Sequence, residues 1–412
     1  MSIGIVGTGI SGLHLALGLR QSGLDATLYS AQGPDDLRGG PPLNFVTRFA
    51  STRARERELG LSAWESSEFD NPWMHVTVEA PGGPSFRARL PEPASSVDFR
   101  IYLAALLEEY LRRGGNWIRR QVAGRGDLLR LAERHELVVV AAGRGALTDT
   151  FPRDPARSPH DRAPRHLVGG LFHGVRPPDP PGMTMHMVPG AGEIHAPTYH
   201  SMDGRVTVVL VEAVPGGPFA ELTDRDQRED PDRFAKELLG LITAYAPTLR
   251  ARIDERAFAL TRPVDLLRGS VVPVVRRGWA RLTDDRFALA VGDAWITNDP
   301  ITAQGANLGS ALAFQLADEL RGTPGPYDET FCRTVSERMW ATAQPVVDWT
   351  NLFLGPPAPQ LGTLLAAAAD DQRVADAFVA RLDRPHAMWR CVRGPDGTAE
   401  FIEEARAVRS TP

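Results

Sequence analysis

Lysine is almost missing from this chain: among 46 basic residues in 412, Lys236 is the only one. It sits in a helical segment, FAKELLG, so lysine chemistry is ruled out nearly everywhere else. Cysteine is equally scarce. Cys332 and Cys391 show neither metal-ligand spacing nor a partner motif, which argues against a disulfide framework and for a reducing compartment. No apolar run reaches the length of a bilayer span, and no basic stretch with a cleavage site precedes the first strand; a cytoplasmic protein without membrane association is expected. The formal net charge of -5 leaves no basic excess to displace phosphate counterions, so a nucleic-acid partner is not expected. Metal-ligand clusters and Ser-His-Asp spacing are missing as well, and no metal is expected.

What remains is ordinary globular material, 42% hydrophobic and 24% charged, and long enough for two or three domains. Residues 3–7 (IGIVG) form a short apolar strand. A helical pattern from Ser11 to about Ser22 follows, then a strand at Ala26–Tyr29, which together make one βαβ unit. A helix is expected from about Ile101 to Arg113 and a buried strand at Glu136–Ala141. Between about Leu167 and Ala213, strand-like runs alternate with turns such as PPDPPG and VPGAGE, the mark of a mostly antiparallel sheet. A helix at Pro231–Ala246, a strand at Phe287–Val291 and a helix at Ala306–Arg321 come next. From Asp328 onward the pattern is helical, with a break at Pro356-Pro357.

Gly7-x-Gly9-x-x-Gly12 lies between the first strand and its helix. Gly7 permits the tight turn, Gly9 lets the backbone approach a pyrophosphate, and Gly12 allows close helix packing. Ile10 and Ser11 open a helix whose free N–H groups face the ligand. The acid that usually ends the second strand and holds a ribose is absent; Ser30 stands there. This motif suits either FAD or NAD. A second motif, LAVGDAWITNDPITAQGANLGSALAF, carries a strand into Gly292-Asp293 and a loop into a helix at Ala306-Asn307. It resembles the FAD-containing hydroxylases of the glutathione-reductase-like fold, in which such a Gly-Asp binds the ribityl chain. The following helix points its N-terminus at the flavin edge where negative charge gathers on reduction.

Single-component hydroxylases of that fold usually carry an Asp-Gly motif after the third strand; Ala142-Gly143-Arg144 stands here, and nothing resembles a second nucleotide site. GIVGTGISGLHLALGLRQSG, SSVDFRIYLAALLEEYLRRGG, ELVVVAAGRGAL, LLRGSVVP, GDAWITNDPITAQGANL and DWTNLFL all look like the two-component styrene and indole monooxygenases. His14 and the DPxxxQGAN pattern are the most specific elements. The resemblance implies an α/β fold: a glutathione-reductase-like (Rossmann-type) FAD-binding domain at 1–165 and 281–325, an inserted β-rich substrate domain at 166–280, and a helical C-terminal region at 326–412. It also implies a function. A separate NADH:flavin reductase supplies reduced FAD, which with O2 forms a C4a-hydroperoxide that epoxidises styrene-like aryl alkenes or indole, or oxidises aryl sulfides. A homodimer is compatible with it.

The same resemblance implies site residues. Asn44 matches an asparagine on the substrate side of the flavin, and Arg100 a position that faces the FAD phosphates. Pro300, Gln304, Gly305, Ala306 and Asn307 would wall the flavin ring. Leu43, Val46, Trp73, Met74, Ile301 and Thr302 would line the substrate pocket. Three departures bear on substrate identity. Pro41-Pro42-Leu43-Asn44 replaces Arg-Leu-Leu-Asn, Arg48 replaces a histidine near the pocket, and Asn71–His75 replaces a strand carrying tyrosine and histidine. If Arg48 points inward, it favours an anionic substrate. A flavin-dependent halogenase would need a catalytic lysine and a Trp-x-Trp-x-Ile motif, and neither occurs. A single-component NAD(P)H-dependent hydroxylase and a non-enzymatic flavin-binding protein are the remaining alternatives.

Overall fold

Four-residue apolar runs build the first layer. The computed structural model describes residues 2–62 and 64–408. Ile3–Val6 and Leu137–Val140 are buried at every position, as expected for parallel strands covered on both faces. They sit at the centre of a six-stranded sheet. Its order is Trp279–Arg281, Phe287–Ala290, Leu137–Val140, Ile3–Val6, Ala26–Ser30 and Asn116–Arg119. All neighbours are parallel except the first pair. The helices Ile10–Gln21 and Gly305–Gly322 pack against this sheet and each other through Leu13, Leu17, Leu312 and Leu316. The strands and helices expected here form within one or two residues of their expected bounds. The strand Asn116–Arg119 was not expected; it is largely exposed at the sheet edge, so no apolar run announces it.

The second layer is a ten-stranded sheet. Its path runs Ala259–Leu260, His166–His173, Gly204–Ala213, Gly192–His195, Gly182–Val188, Asp70–Val78, Ser85–Ser96 and Thr47–Arg48. Thr198–Ser201 pairs with Gly204–Ala213, and Leu266–Ser270 with His166–His173. Asp70–Val78 runs parallel to Gly182–Val188; the other pairings are antiparallel. The antiparallel sheet expected in the middle of the chain is therefore present. It also recruits a long hairpin from residues 70–96, a stretch expected to belong with the nucleotide-binding part. Pro72 interrupts the ladder, and the register shifts between Asn71 and Trp73.

Each face of the large sheet has its own cover. Val209, Val211 and Ile194 pack under the helix Pro231–Tyr245. The hairpin residues Ala88 and Leu90 are buried by C-terminal helices, including Pro359–Asp370 and Gln372–Val379. The helix Glu329–Leu354 runs for 26 residues before the Pro356-Pro357 break. None of the helices in the described residues is long and apolar enough to cross a membrane.

Arg100 pins the two layers together. Its guanidinium is enclosed by Asp98 Oδ2 at 2.5 Å and Asp265 Oδ1 at 2.7 Å, with side-chain exposure of 1%. Asp98 caps the helix Phe99–Arg112, and Asp265 directly precedes the strand Leu266–Ser270. The expected role at dinucleotide phosphates does not hold, because two buried carboxylates occupy the cation and the side chain does not reach the cavity described below. Arg100→Ala would leave Asp98 without its cation and Asp265 with Arg262 alone, and loss of one partner of a buried pair costs ~3–5 kcal/mol. Urea titration should show a fall of that size; a change under about 1 kcal/mol would contradict the staple.

Candidate active site

All five parallel strands of the first sheet end at one cavity, the usual ligand position in open α/β sheets. It has a volume of about 940 Å3, at the upper end of the ~300–1,000 Å3 typical of small-molecule sites. Gly7, Gly9, Ile10 and Ser11 line one end, with Ser30, Gln32 and Arg120 beside them. Gly7 has φ +112°, and a Cβ there would come within 2.4 Å of the Ala141 carbonyl oxygen. Gly12 lies outside the lining; a Cβ would stand 2.1 Å from the Gly7 carbonyl oxygen, so its value is close packing. The helix Ile10–Gln21 has no side-chain cap and no acid in its first turn, which leaves its N–H groups and partial positive charge to the cavity. The Ser30 hydroxyl donates to the Gln32 carbonyl at 2.8 Å and accepts from Trp117 Nε1 at 3.0 Å.

The middle of the cavity is bounded by Gly292, Asp293, Asn298 and the segment Pro300–Ala303, with Asn44 and Val46 on the facing loop. Asp293 keeps 42% of its side chain accessible. That surface faces the cavity, so burial still pushes its carboxyl pKa up, with Arg144 and Arg276 pulling it back. Arg144 stands 3.9 Å from its carboxylate. A second uncapped helix, Gly305–Gly322, presents Gly305 and Ala306 to the same space. A Cβ on Gly305 would meet nothing of the protein within 4 Å, and Asn298 Nδ2 is buried without a partner. The far end is apolar. Met74, Met185, Leu210, Ile301, Trp349 and Phe378 are among its walls, and Leu43 and Thr302 also border the cavity.

Several expected site residues do other work. Gln304 donates to the Leu382 carbonyl at 2.8 Å. Asn307 is fully engaged: its Oδ1 accepts from Phe49 N at 3.0 Å and Thr52 Oγ1 at 2.8 Å, and its Nδ2 donates to the Thr47 and Ala303 carbonyls at 2.9 and 2.8 Å. Neither lines the cavity, so both hold its wall from behind. Trp73 projects to the opposite side of its strand from Met74 and Val76, which do line it.

Arg48 is also turned away. It is fully buried, ion-paired to Glu56, and donates to Ser95 Oγ at 3.0 Å, with its guanidinium over the Tyr102 ring at 5.1 Å. An anionic substrate therefore finds no partner in Arg48. The arginines that do reach the cavity are Arg120, Arg144 and Arg268. Arg120 follows the unexpected edge strand, and recognising that strand would have exposed it.

A family model described as "Styrene monooxygenase A putative substrate binding domain" matches residues 143–252. Styrene monooxygenase StyA of Pseudomonas sp is 32% identical over 407 residues, 98% of this chain and 97% of that protein. The StyA of Pseudomonas fluorescens is 31% identical over the same shares. The chain belongs to the styrene monooxygenase A family. It is a flavin-dependent monooxygenase of the styrene monooxygenase type. Solved structures show the same fold at low identity. The flavin-dependent brominase Bmp2 superposes with a TM-score of 0.69 at 13% identity, over 98% of each chain. Aklavinone-11 hydroxylase, in a ternary complex with FAD and aklavinone, gives 0.58 at 16%, over 85% of this chain and 68% of its own.

His14 lies behind the cavity in a buried polar chain. Its Nδ1 meets Ser310 Oγ at 2.9 Å and its Nε2 meets Tyr102 Oη at 2.9 Å, while that hydroxyl donates to Glu56 Oε1 at 2.6 Å. Tyr102 spends its proton on Glu56, so it accepts from Nε2–H and the ring is neutral. Burial, with Arg55 and Arg48 nearby, lowers the His14 pKa to about 3. Below about pH 6.5 the unfolded chain takes up a proton that the folded chain refuses, so this group's contribution is present above 6.5 and is lost as pH falls. The slope is about 1.4 kcal/mol per pH unit. Unfolding free energies measured at pH 7 and pH 5 should differ less in His14→Gln than in the parent; an equal difference would contradict a neutral buried His14.

Proposed function

We propose that this chain oxygenates aryl alkenes or indole, using O2 and reduced FAD delivered by a separate NADH:flavin reductase. The observation that carries the reading is the continuity of one cavity, from a glycine turn at one end to an apolar pocket at the other. Its residues fit FAD. The backbone N–H groups at Gly9–Ser11 face the place of a pyrophosphate, where a helix N-terminus favours anionic oxygen. Arg120 adds a cation beside them. Asp293, on the cavity wall, would accept a hydrogen bond from the ribityl chain. The helix opening at Gly305-Ala306 favours negative charge on the ring edge, which is greater in the reduced flavin. Bound reduced FAD supplies the electrons that activate O2, so that one oxygen atom goes to the substrate and the other leaves as water.

The protein's own work is placement and dryness. Asn44 and Val46 border the same cavity as Ile301 and Thr302, so a flat substrate there would meet both a polar amide and an apolar wall. Met74, Met185 and Leu210 continue that wall and keep water from the reacting centre. No second nucleotide signature appears in the sequence, which supports an external source of electrons.

Two measurements test this. Asp293→Ala should weaken FAD binding by about tenfold or more, since a hydrogen bond to a charged acceptor contributes ~1.5–3 kcal/mol; unchanged affinity would remove the ribityl role. With FAD, NADH and an added flavin reductase, styrene, indole or an aryl sulfide should gain one oxygen atom by mass spectrometry. Asn44→Ala should lower product formed per O2 consumed. Oxygen consumption with no oxygenated product from any of the three would refute the substrate class and leave the flavin assignment standing.

A further inference from the structure

The apolar end of the cavity contains one polar spot whose hydrogen-bonding capacity the protein does not use. Along the strand Gly204–Ala213, Val209, Val211 and Ala213 face the covering helix. Val208, Leu210 and Glu212 face the cavity. Glu212 is fully buried, and neither carboxyl oxygen accepts a hydrogen bond from any N–H or O–H of the protein. His195, on the neighbouring strand, also lines the cavity; its Nε2 lies 3.4 Å from Glu212 Oε1 and makes no hydrogen bond. Directly across the ladder from Glu212 stands Glu193, but that charge is matched by Arg165 through contacts of 2.8 and 3.1 Å. Glu212 has no such cation.

Its other neighbour is Asp299, at the start of the loop that carries Pro300 and Ile301 along the cavity. Asp299 Oδ1 accepts from Ile301 N at 3.1 Å, while Oδ2 is buried and unmatched. A charge on Asp299 disfavours a charge on Glu212, and burial disfavours both. Two carboxylates so placed cannot both ionise, so they hold one proton between them. The Ile301 N–H favours the charge on Asp299, which leaves the proton on Glu212. Burial agrees in direction: it raises Glu212 well above the usual carboxylate range, raises Asp299 to about 6 and lowers His195 to about 4. With the proton on Glu212, the cluster is a neutral acid and a neutral imidazole near the Asp299 carboxylate. One Glu212 oxygen is then left as a buried acceptor on the cavity wall, a position costly to leave unmatched.

We propose that Glu212, with His195 beside it, is a specificity-determining subsite that accepts an N–H or O–H from a flat aryl substrate. The inference rests on the reading above that the apolar end holds the substrate. It adds a preference: substrates bearing a donor bind better than hydrocarbons of the same shape.

Indole and indene make the comparison, since they share a shape and only indole has an N–H. Their dissociation constants should be measured by calorimetry on the full-length chain with oxidised FAD, where no turnover occurs. Indole should bind about two- to tenfold more tightly than indene, the range of one neutral hydrogen bond. Glu212→Leu should bring the ratio to about one without weakening indene. N-methylindole should lose the advantage on the parent protein, so the test stands even if the variant folds poorly. Equal binding of indole and indene to the parent would overturn the subsite and leave the pocket reading intact. Binding of neither would overturn the pocket reading, and the subsite with it.

Discussion

The cavity depends on Asn307. Its amide joins the helix Gly305–Gly322 to the segment that begins at Thr47, through bonds to Thr47, Phe49 and Thr52. Asn44 and Val46, which border the cavity, lie immediately before that segment. The same amide holds the Ala303 carbonyl, and Ala303 has φ 54°, a left-handed conformation that costs a residue with a Cβ ~1–2 kcal/mol. Such strain persists only where the surroundings over-determine it. Ala303 lines the cavity, so the fold spends a bond from a buried amide to shape the wall next to the helix N-terminus.

The layers on either side of that clamp differ in what the sequence reveals. The first sheet was legible because short apolar runs, IGIV before Gly7 and LVVV before Ala-Ala-Gly, read as buried strands, and because Gly7, Gly9 and Gly12 state their backbone requirements locally. The hairpin at 70–96 was not legible. The strand Ser85–Ser96 carries Pro91, Pro93, Arg87 and Arg89, and its alternation makes sense only with the C-terminal helices over Ala88 and Leu90. The side chains of the site follow the same rule. Residues whose place follows from backbone position, such as Gly9, Asp293 and Ile301, do face the cavity. Arg48, Arg100 and Asn307 do not, because their direction is set by Glu56, by Asp98 and Asp265, and by the Thr47–Thr52 segment, partners that no short motif contains.

Charge is sorted along the cavity. Arg120 stands at the glycine-turn end and Arg144 beside Asp293, while Glu212 and a neutral His195 stand at the apolar end. That polarity suits a long anionic cofactor entering from one side and a neutral aromatic from the other. A chain with one lysine makes these arrangements with arginine, whose planar fork pairs with two carboxylate oxygens at once, as Arg165 does with Glu193.

In the proposed reaction, O2 receives its electrons only from reduced flavin seated in this one cavity, and the substrate takes up one of the oxygen atoms. A single-turnover experiment tests it most directly. The chain is mixed anaerobically with photoreduced FAD and styrene, without any nicotinamide or reductase, and then exposed to O2. The account predicts oxygenated product approaching one per reduced flavin. Product that forms only when NADH or NADPH is added to the chain itself would contradict it.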